Sequence, residues 1–440
     1  MAPEIQDDTM DLSRRNFIAT ATTATATAGA ATLPLAPLAA QARIVPRASA
    51  RVRSISAMTF APDGRLIVAD WRSGALHALS LPTRPQSEER SFNLLDLSDR
   101  LASTFGLSAD QVRVTACVLH APTQTVVLAV ALGRTTGAAA GLAAVDAAGR
   151  VSRIPLDAAV VASQPLAAVP AEGLIWGRQP ARTLMVTDLK AHGSELIVAG
   201  LTNASFTSTL RRIPYPFTSS GTASAVEMYH AVHNQIETRA PVRTFTIIDV
   251  AGEPTLLAAY TCTPLVTVPL SELKDGARVR GKTIAELGFG NTPLDMLPFS
   301  IDYKGRRSDW VLVANSAKAA DLISLPDVVA AAQAPGLSQP VSAPFDQHAG
   351  VKTIPLPITS VQRLMDQGPQ FLAALRRLPD DGQLQLVSIR KGAFFRLSDF
   401  VNEYDFPNYS YPAGDAFQQN YIRPFHQLMK TDEGHAVLVK

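Results

Sequence analysis

A short apolar phrase recurs six times along the chain, and no other feature restricts the fold as strongly. The copies are Arg65–Asp70 (RLIVAD), Thr125–Val130 (TVVLAV), Glu195–Gly200 (ELIVAG), Thr255–Tyr260 (TLLAAY), Trp310–Asn315 (WVLVAN) and Gln370–Leu375 (QFLAAL). Each has alanine fifth, at Ala69, Ala129, Ala199, Ala259, Ala314 and Ala374, with spacings of 60, 70, 60, 55 and 60 residues. Short, continuous apolar runs bounded by turn residues are the pattern of strands buried on both faces.

Each run follows another apolar segment and a turn. Ile55–Leu81 is the clearest copy: a half-buried strand, the turn Pro62-Asp63-Gly64, the run itself, the turn Arg72-Ser73-Gly74 and a returning strand. Proline fixes φ, aspartate bonds the backbone two residues on, and glycine accepts positive φ. The later units turn at Pro122-Thr123-Gln124, His192-Gly193-Ser194, Gly252-Glu253-Pro254, Lys304-Gly305-Arg306 and Asp366-Gln367-Gly368. Regular strand–turn–strand units with little helix between them predict an all-β fold, a six-bladed β-propeller. A seven-bladed ring with one degenerate blade is the competing arrangement. The small fifth residue lets neighbouring blades close up near the axis. Short helical insertions are expected at Leu97–Leu107 and around Pro326–Val329. Arg43–Val52 is expected to close the ring against Gly392–Leu397. The aromatic-rich tail, residues 401–440 with Tyr404 to Phe425, is expected to pack on the ring.

The first residues read as an address. Ser13-Arg14-Arg15-Asn16-Phe17-Ile18 resembles the twin-arginine export signature; a weakly apolar Ala/Thr tract and a small-x-small cleavage site, Ala40-Gln41-Ala42, follow. The resemblance implies a signal peptide over residues 1–42, the twin-arginine machinery as a partner, and a periplasmic or secreted propeller over 43–440, exported folded. The tract is too weakly apolar and too interrupted by Pro34 and Pro37 for a stable membrane span, so no integral membrane segment is expected. Hydrophobic residues make up 47% of the 440-residue chain and charged residues 18%, a globular composition. The formal charge is +2, and the expected cleavage leaves +4 because it removes two arginines and four carboxylates. With no lysine or arginine run, nucleic acid is not an expected partner.

At Phe60–Gly74 (FAPDGRLIVADWRSG) the chain resembles the NHL-repeat and gluconolactonase-like group of six-bladed propellers. Asp302-Tyr303-Lys304-Gly305 with Val313-Ala314-Asn315 echoes the phrase. That group includes hydrolases, lyases and pure binding modules, so the resemblance implies a fold far more than a function.

In a propeller hairpin, the end of the second strand and the entry to the first face the same side. That loop face is expected to collect Asp70, Trp71, Tyr260, Cys262, Asn291, Asp295, Asn315, the loop Glu227–Arg243 and the loop with His348. Within Glu227–Arg243, His230 and His233 stand three apart and Glu237 follows. His-x-x-His presents two imidazoles to one cation, with His348 as a third ligand and Glu237 as ligand or base; imidazole suits Zn or Cu. Asp70 and Asp295, with Asn291 and Asn315, offer oxygen ligands suited to Ca²⁺ or Mg²⁺. In the lactonase-like propellers, Asp, Asn and Glu residues hold such a metal. Asp70 and Asn315 match the end of the repeated strand, but the full pattern is not present. Cys262, after the fourth alanine, is a candidate soft-metal ligand or nucleophile. His230, Glu237 and Cys262 are thus the catalytic candidates, and His230, His233, His348, Asp70 and Asp295 the metal candidates. A Cys117–Cys262 disulfide would have to cross the axis. These residues predict a small ligand or a divalent cation bound at the loop face, with metal-dependent hydrolysis or lysis as the chemistry. A non-catalytic binding or assembly module is the alternative, and a redox role is the third reading.

Overall fold

Long apolar runs bury both faces only if sheets stack on either side of them, and the chain achieves this by arranging its sheets in a ring. The computed structural model describes residues 51–391 except 177–178, 204–206, 289, 304, 344–347, 357 and 380. The chain divides into units Met1–Ala36 and Pro37–Lys440, and every described residue belongs to the second. The expected export segment, the expected closure between Arg43–Val52 and Gly392–Leu397 (save Arg51 and Val52) and the aromatic tail lie outside the described residues.

Four four-stranded antiparallel sheets and one ten-stranded sheet, described below as two units, carry the repeat. Sheet I comprises Ala57–Phe60, Leu66–Asp70, Ala75–Leu79 and, from later in the chain, Val160–Pro165. Sheet II is Val112–His120, Thr125–Leu132, Ala139–Val145 and Val151–Ile154. Sheet III is Asp188–His192, Glu195–Leu201, Ser208–Pro214 and Thr222–His230; sheet IV is Val242–Val250, Glu253–Tyr260, Pro264–Pro269 and Arg278–Glu286. Sheet V is Pro293–Tyr303, Arg306–Asn315, Ala320–Ser324 and Ile354–Leu356. Sheet VI is Val361–Asp366, Phe371–Arg377, Leu384–Arg390 and, from early in the chain, Asn93–Leu94. Sheets III and IV fuse where their outer strands pair in parallel, Ala225 with Arg278 through Met228 with Gly281.

Every repeated run is the second strand of its sheet, and its core residues are fully buried. Six apolar cores lie between sheets and fix the ring order: II against I, I against III, III against IV, IV against V, V against VI, and VI against II. The chain therefore does not visit the sheets in spatial order. It builds sheet I, places sheet II on one side of it, and returns to place sheet III on the other. The two crossings supply strands: Asn93–Leu94 pairs with Val387 and Leu386 in sheet VI, and Val160–Pro165 completes sheet I. The outer edge of Leu384–Arg390 is thus taken by Asn93–Leu94.

Five of the repeat alanines face the core shared with the next sheet in ring order. Ala374 differs: it faces sheet V, while Leu375 occupies the forward face toward sheet II. Side chains alternate along a strand, so a one-residue offset of the last copy turns its alanine to the opposite face. Helices form at Leu97–Phe105 and Leu325–Gln333, the latter capped by Ser324 accepting from the Asp327 amide with proline in its first turn.

Candidate functional site

The sequence-level candidates around His230 converge at the rim of the loop face, between sheets III and IV. Thr222–His230, the outer strand of sheet III, runs toward this face and turns back into Gln235–Glu237, pairing His230 with Gln235 and Met228 with Glu237. A tight turn connects them: the His233 amide donates to the His230 carbonyl (3.1 Å), and Asn234 takes φ +50°. This turn lays the His233 ring over the His230 ring, with centroids 3.8 Å apart.

One carboxylate organises both rings. Oε1 of Glu237 accepts from Nδ1 of His230 (2.9 Å), from Nδ1 of His233 (2.6 Å) and from Nε2 of Gln235 (3.1 Å). Donation through Nδ1 directs both Nε2 atoms away from Glu237, the arrangement by which carboxylates orient metal-binding histidines. On the other side of His230, Nε2 lies 3.0 Å from the Thr263 hydroxyl, which donates to Oε2 of Glu286. Oε1 of Glu286 accepts from the Ala231 amide at 2.7 Å, anchoring the turn. His230 Nε2 therefore faces the Thr263 oxygen, and ligation of a cation through Nε2 requires loss of its proton and of that contact.

The electrostatics follow from this placement. Burial opposes the charge on His230, but contacts with Cys262, Glu237 and Glu286 prevail and raise its pKa to about 9. Burial likewise opposes ionisation of Glu237, yet hydrogen bonds from His230, His233 and Gln235 bring it down to about 2. Burial raises Glu286, against the opposing pull of Thr263 and His230. His230 and Glu286 are fully buried, whereas His233 is 39% exposed and opens the cluster to solvent.

Cys262 completes the group from sheet IV. It follows Tyr260 at the end of the second strand and holds φ +83°, a conformation uncommon for any residue with a side chain. Its thiol is free, as is that of Cys117 in sheet II, on the opposite side of the ring. One ligand atom each from His230, His233 and Cys262 lies within 4.8 Å of the other two. A tetrahedral cation with bonds of about 2.0–2.3 Å needs these atoms about 1.5 Å closer at most. A thiol and two imidazoles match Zn²⁺ or copper, not the oxygen shell that Ca²⁺ demands.

The remaining candidates lie elsewhere. His348 sits in the sheet V region against Lys318, Thr353 and Asp321, 3.8 Å from Asp321 Oδ1, and does not join His230. Asp70, in sheet I, is buried and accepts from the Arg53 amide (2.7 Å), Ser54 Oγ (2.6 Å) and the Arg72 amide (3.0 Å). Asp295, in sheet V, accepts from the amides of Met296 (2.9 Å) and Leu364 (2.8 Å). Asn291 donates to Asn315 (2.8 Å), which donates to Asp321 (2.9 Å). These side chains cap strand ends and tie neighbouring sheets; they do not converge on one oxygen-ligand site, so the Ca²⁺ arrangement has no common centre. Thr263 and Glu286 were not evident from sequence. Glu286 ends an outer strand, and only the pairing of sheets III and IV brings it under the histidines.

No family model matches the chain, and no curated protein gives a significant match. Solved structures that resemble it include the extracellular domain of the putative hybrid two component system BT4673 from B. thetaiotaomicron, at 9% identity and TM-score 0.31, covering 79% of this chain and 39% of that one. Drosophila Semaphorin 1a, extracellular domains 1-2, matches at 9% identity and TM-score 0.35, covering 78% and 86%. A PQQ-bound aldose sugar dehydrogenase from Streptomyces coelicolor matches at 11% identity and TM-score 0.29, covering 81% and 99%. Likenesses this distant carry no functional argument. The class of protein, a β-propeller, is defined by the ring of sheets.

Proposed function

We propose that this chain is an exported propeller that binds a borderline-soft divalent cation, Zn²⁺ foremost, through His230, His233 and Cys262. The observation that carries the reading is the mutual approach of their ligand atoms within 4.8 Å. Three protein donors leave a fourth position for water or a substrate oxygen, which suits metal-dependent hydrolysis. Glu237 positions both imidazoles, and Glu286 with Thr263 holds His230 from behind. Among the described residues no helix is long and apolar enough to cross a membrane. The Arg14-Arg15 motif is the support for export.

The test is calorimetric titration of the metal-free protein with Zn²⁺. One equivalent should bind the wild type, and His233→Ala should weaken binding at least tenfold. No binding to the wild type would end the metal reading.

The positive φ of Cys262 beside a histidine oriented by Glu237 favours one second reading: Cys262 as a nucleophile paired with the charged His230 ring, which Glu237 orients. Stoichiometric loss of a hydrolytic activity on alkylation of Cys262, with no requirement for metal, would select it.

A further inference from the structure

A second cluster, built from different residues, surrounds the mouth of the central channel. Four of the six innermost strands contain a register shift at the same end: between Val114 and Ala116, Val242 and Thr244, Pro293 and Asp295, and Val361 and Arg363. The residues set out of register are Thr115, Arg243, Leu294 and Gln362. All four line one cavity of 240 Å³, together with Arg363. Bulges re-aim side chains, and four at one level of a ring shape a single space.

A larger cavity of 550 Å³ adjoins it, sharing Thr115, Arg243 and Arg363 and adding Arg113, Trp71 and several hydroxyl side chains. No described carboxylate lines either cavity. Arg243 and Arg363 also line the adjoining 210 Å³ channel cavity, where three acids are already engaged, Asp366 with Lys391 at 2.8 Å. Asp188 accepts from the Leu189 and Phe245 amides and the Thr244 hydroxyl, and pairs with Lys190 at 3.4 Å. Asp295 is held by the Met296 and Leu364 amides. Arg363 directs Nη1 to the carbonyls of Leu294 (3.1 Å) and Gln362 (2.7 Å). Arg243 makes no hydrogen bond or ion pair with any described residue, and its buried Nε has no partner. Arg243 is repelled by Arg363 and attracted by Asp188 and Asp295 across the channel.

Two guanidiniums thus face a concave, hydroxyl-lined space, and the buried Nε of Arg243 has no hydrogen-bond partner there. We propose that the channel mouth binds a small molecule bearing an oxyanion, a carboxylate or a phosphate ester, with that group clasped by Arg243 and Arg363. Planar guanidinium forks match both groups through paired hydrogen bonds. The rest of the ligand occupies the 550 Å³ cavity, a volume ordinary for small-molecule sites.

Thermal unfolding and calorimetry test this, using citrate and inorganic phosphate as probes against chloride at matched ionic strength. The wild type should melt several degrees higher in at least one of the two; citrate alone assigns a carboxylate, phosphate alone a phosphate ester. Arg243→Met should keep the wild-type fold by far-ultraviolet circular dichroism and weaken the responding anion at least tenfold. Arg243→Lys retains the charge without the fork, and should also bind several-fold more weakly. Absence of any shift in the wild type overturns the proposal, as does either variant binding like the wild type.

Discussion

Glu237 accepts from Nδ1 of His230 at 2.9 Å with the same oxygen that accepts from His233. One acid thus sets the orientation of both imidazoles, and its charge strengthens them as donors to a metal. Glu237→Gln retains the shape but loses the charge. It should weaken Zn²⁺ binding by about 10–100-fold while leaving the fold intact, as measured by calorimetry beside far-ultraviolet circular dichroism.

Cys262 pays for its position with a φ of +83°. Glycine adopts that conformation without strain. Cys262→Gly should therefore raise stability to urea by about 1 kcal/mol while removing metal binding. Loss of stability in this variant would indicate that the thiol holds the loop by packing.

Asp70 is the buried anchor of sheet I. Burial acts to raise its pKa, but the His77 side chain, the Arg53 amide, Ser54 and Ser73 outweigh that and bring it to about 2. His77 Nε2 lies 3.6 Å from Asp70 Oδ2. A depressed carboxylate contributes stability that is full above its unfolded pKa and fades as pH falls through the folded value. The window is thus from about pH 4 down to about pH 2, worth about 2 kcal/mol. Urea unfolding at the two ends should show that loss in the wild type, and a smaller one in Asp70→Asn.

Leu94 is 6% exposed and pairs with Leu386, whereas Leu95 beside it is 52% exposed. Leu94→Ala should cost about 2–3 kcal/mol in urea unfolding, and Leu95→Ala under about 0.5 kcal/mol. Equal effects would remove Asn93–Leu94 from its role in completing sheet VI.

Export is tested by Arg14→Lys combined with Arg15→Lys. The double variant should accumulate uncleaved in the cytoplasm, followed by fractionation and intact mass; normal processing would remove the twin-arginine reading.

The second strands were legible because burial on both faces demands continuous apolar text, and Leu66–Asp70 or Arg306–Asn315 contain nothing else at their cores. The ring order was not, because the connections after Leu79 and after Ile154 do not encode which side of sheet I the chain takes next. His230, His233 and Glu237 could be grouped because one hairpin holds them. Thr263 and Glu286 join through the parallel pairing of two outer strands, which no local pattern announces. Arg363 read as an ordinary strand residue and Arg243 as the end of a loop, since a bulge leaves no mark in sequence beyond one extra residue.

The most direct measurement is the absorption spectrum of the metal-free protein titrated with Co²⁺. A sulfur-to-cobalt charge-transfer band should grow to one equivalent, disappear in Cys262→Ser and weaken in His233→Ala. A spectrum unchanged from aqueous cobalt, or a band that survives in Cys262→Ser, would contradict a centre formed by His230, His233 and Cys262.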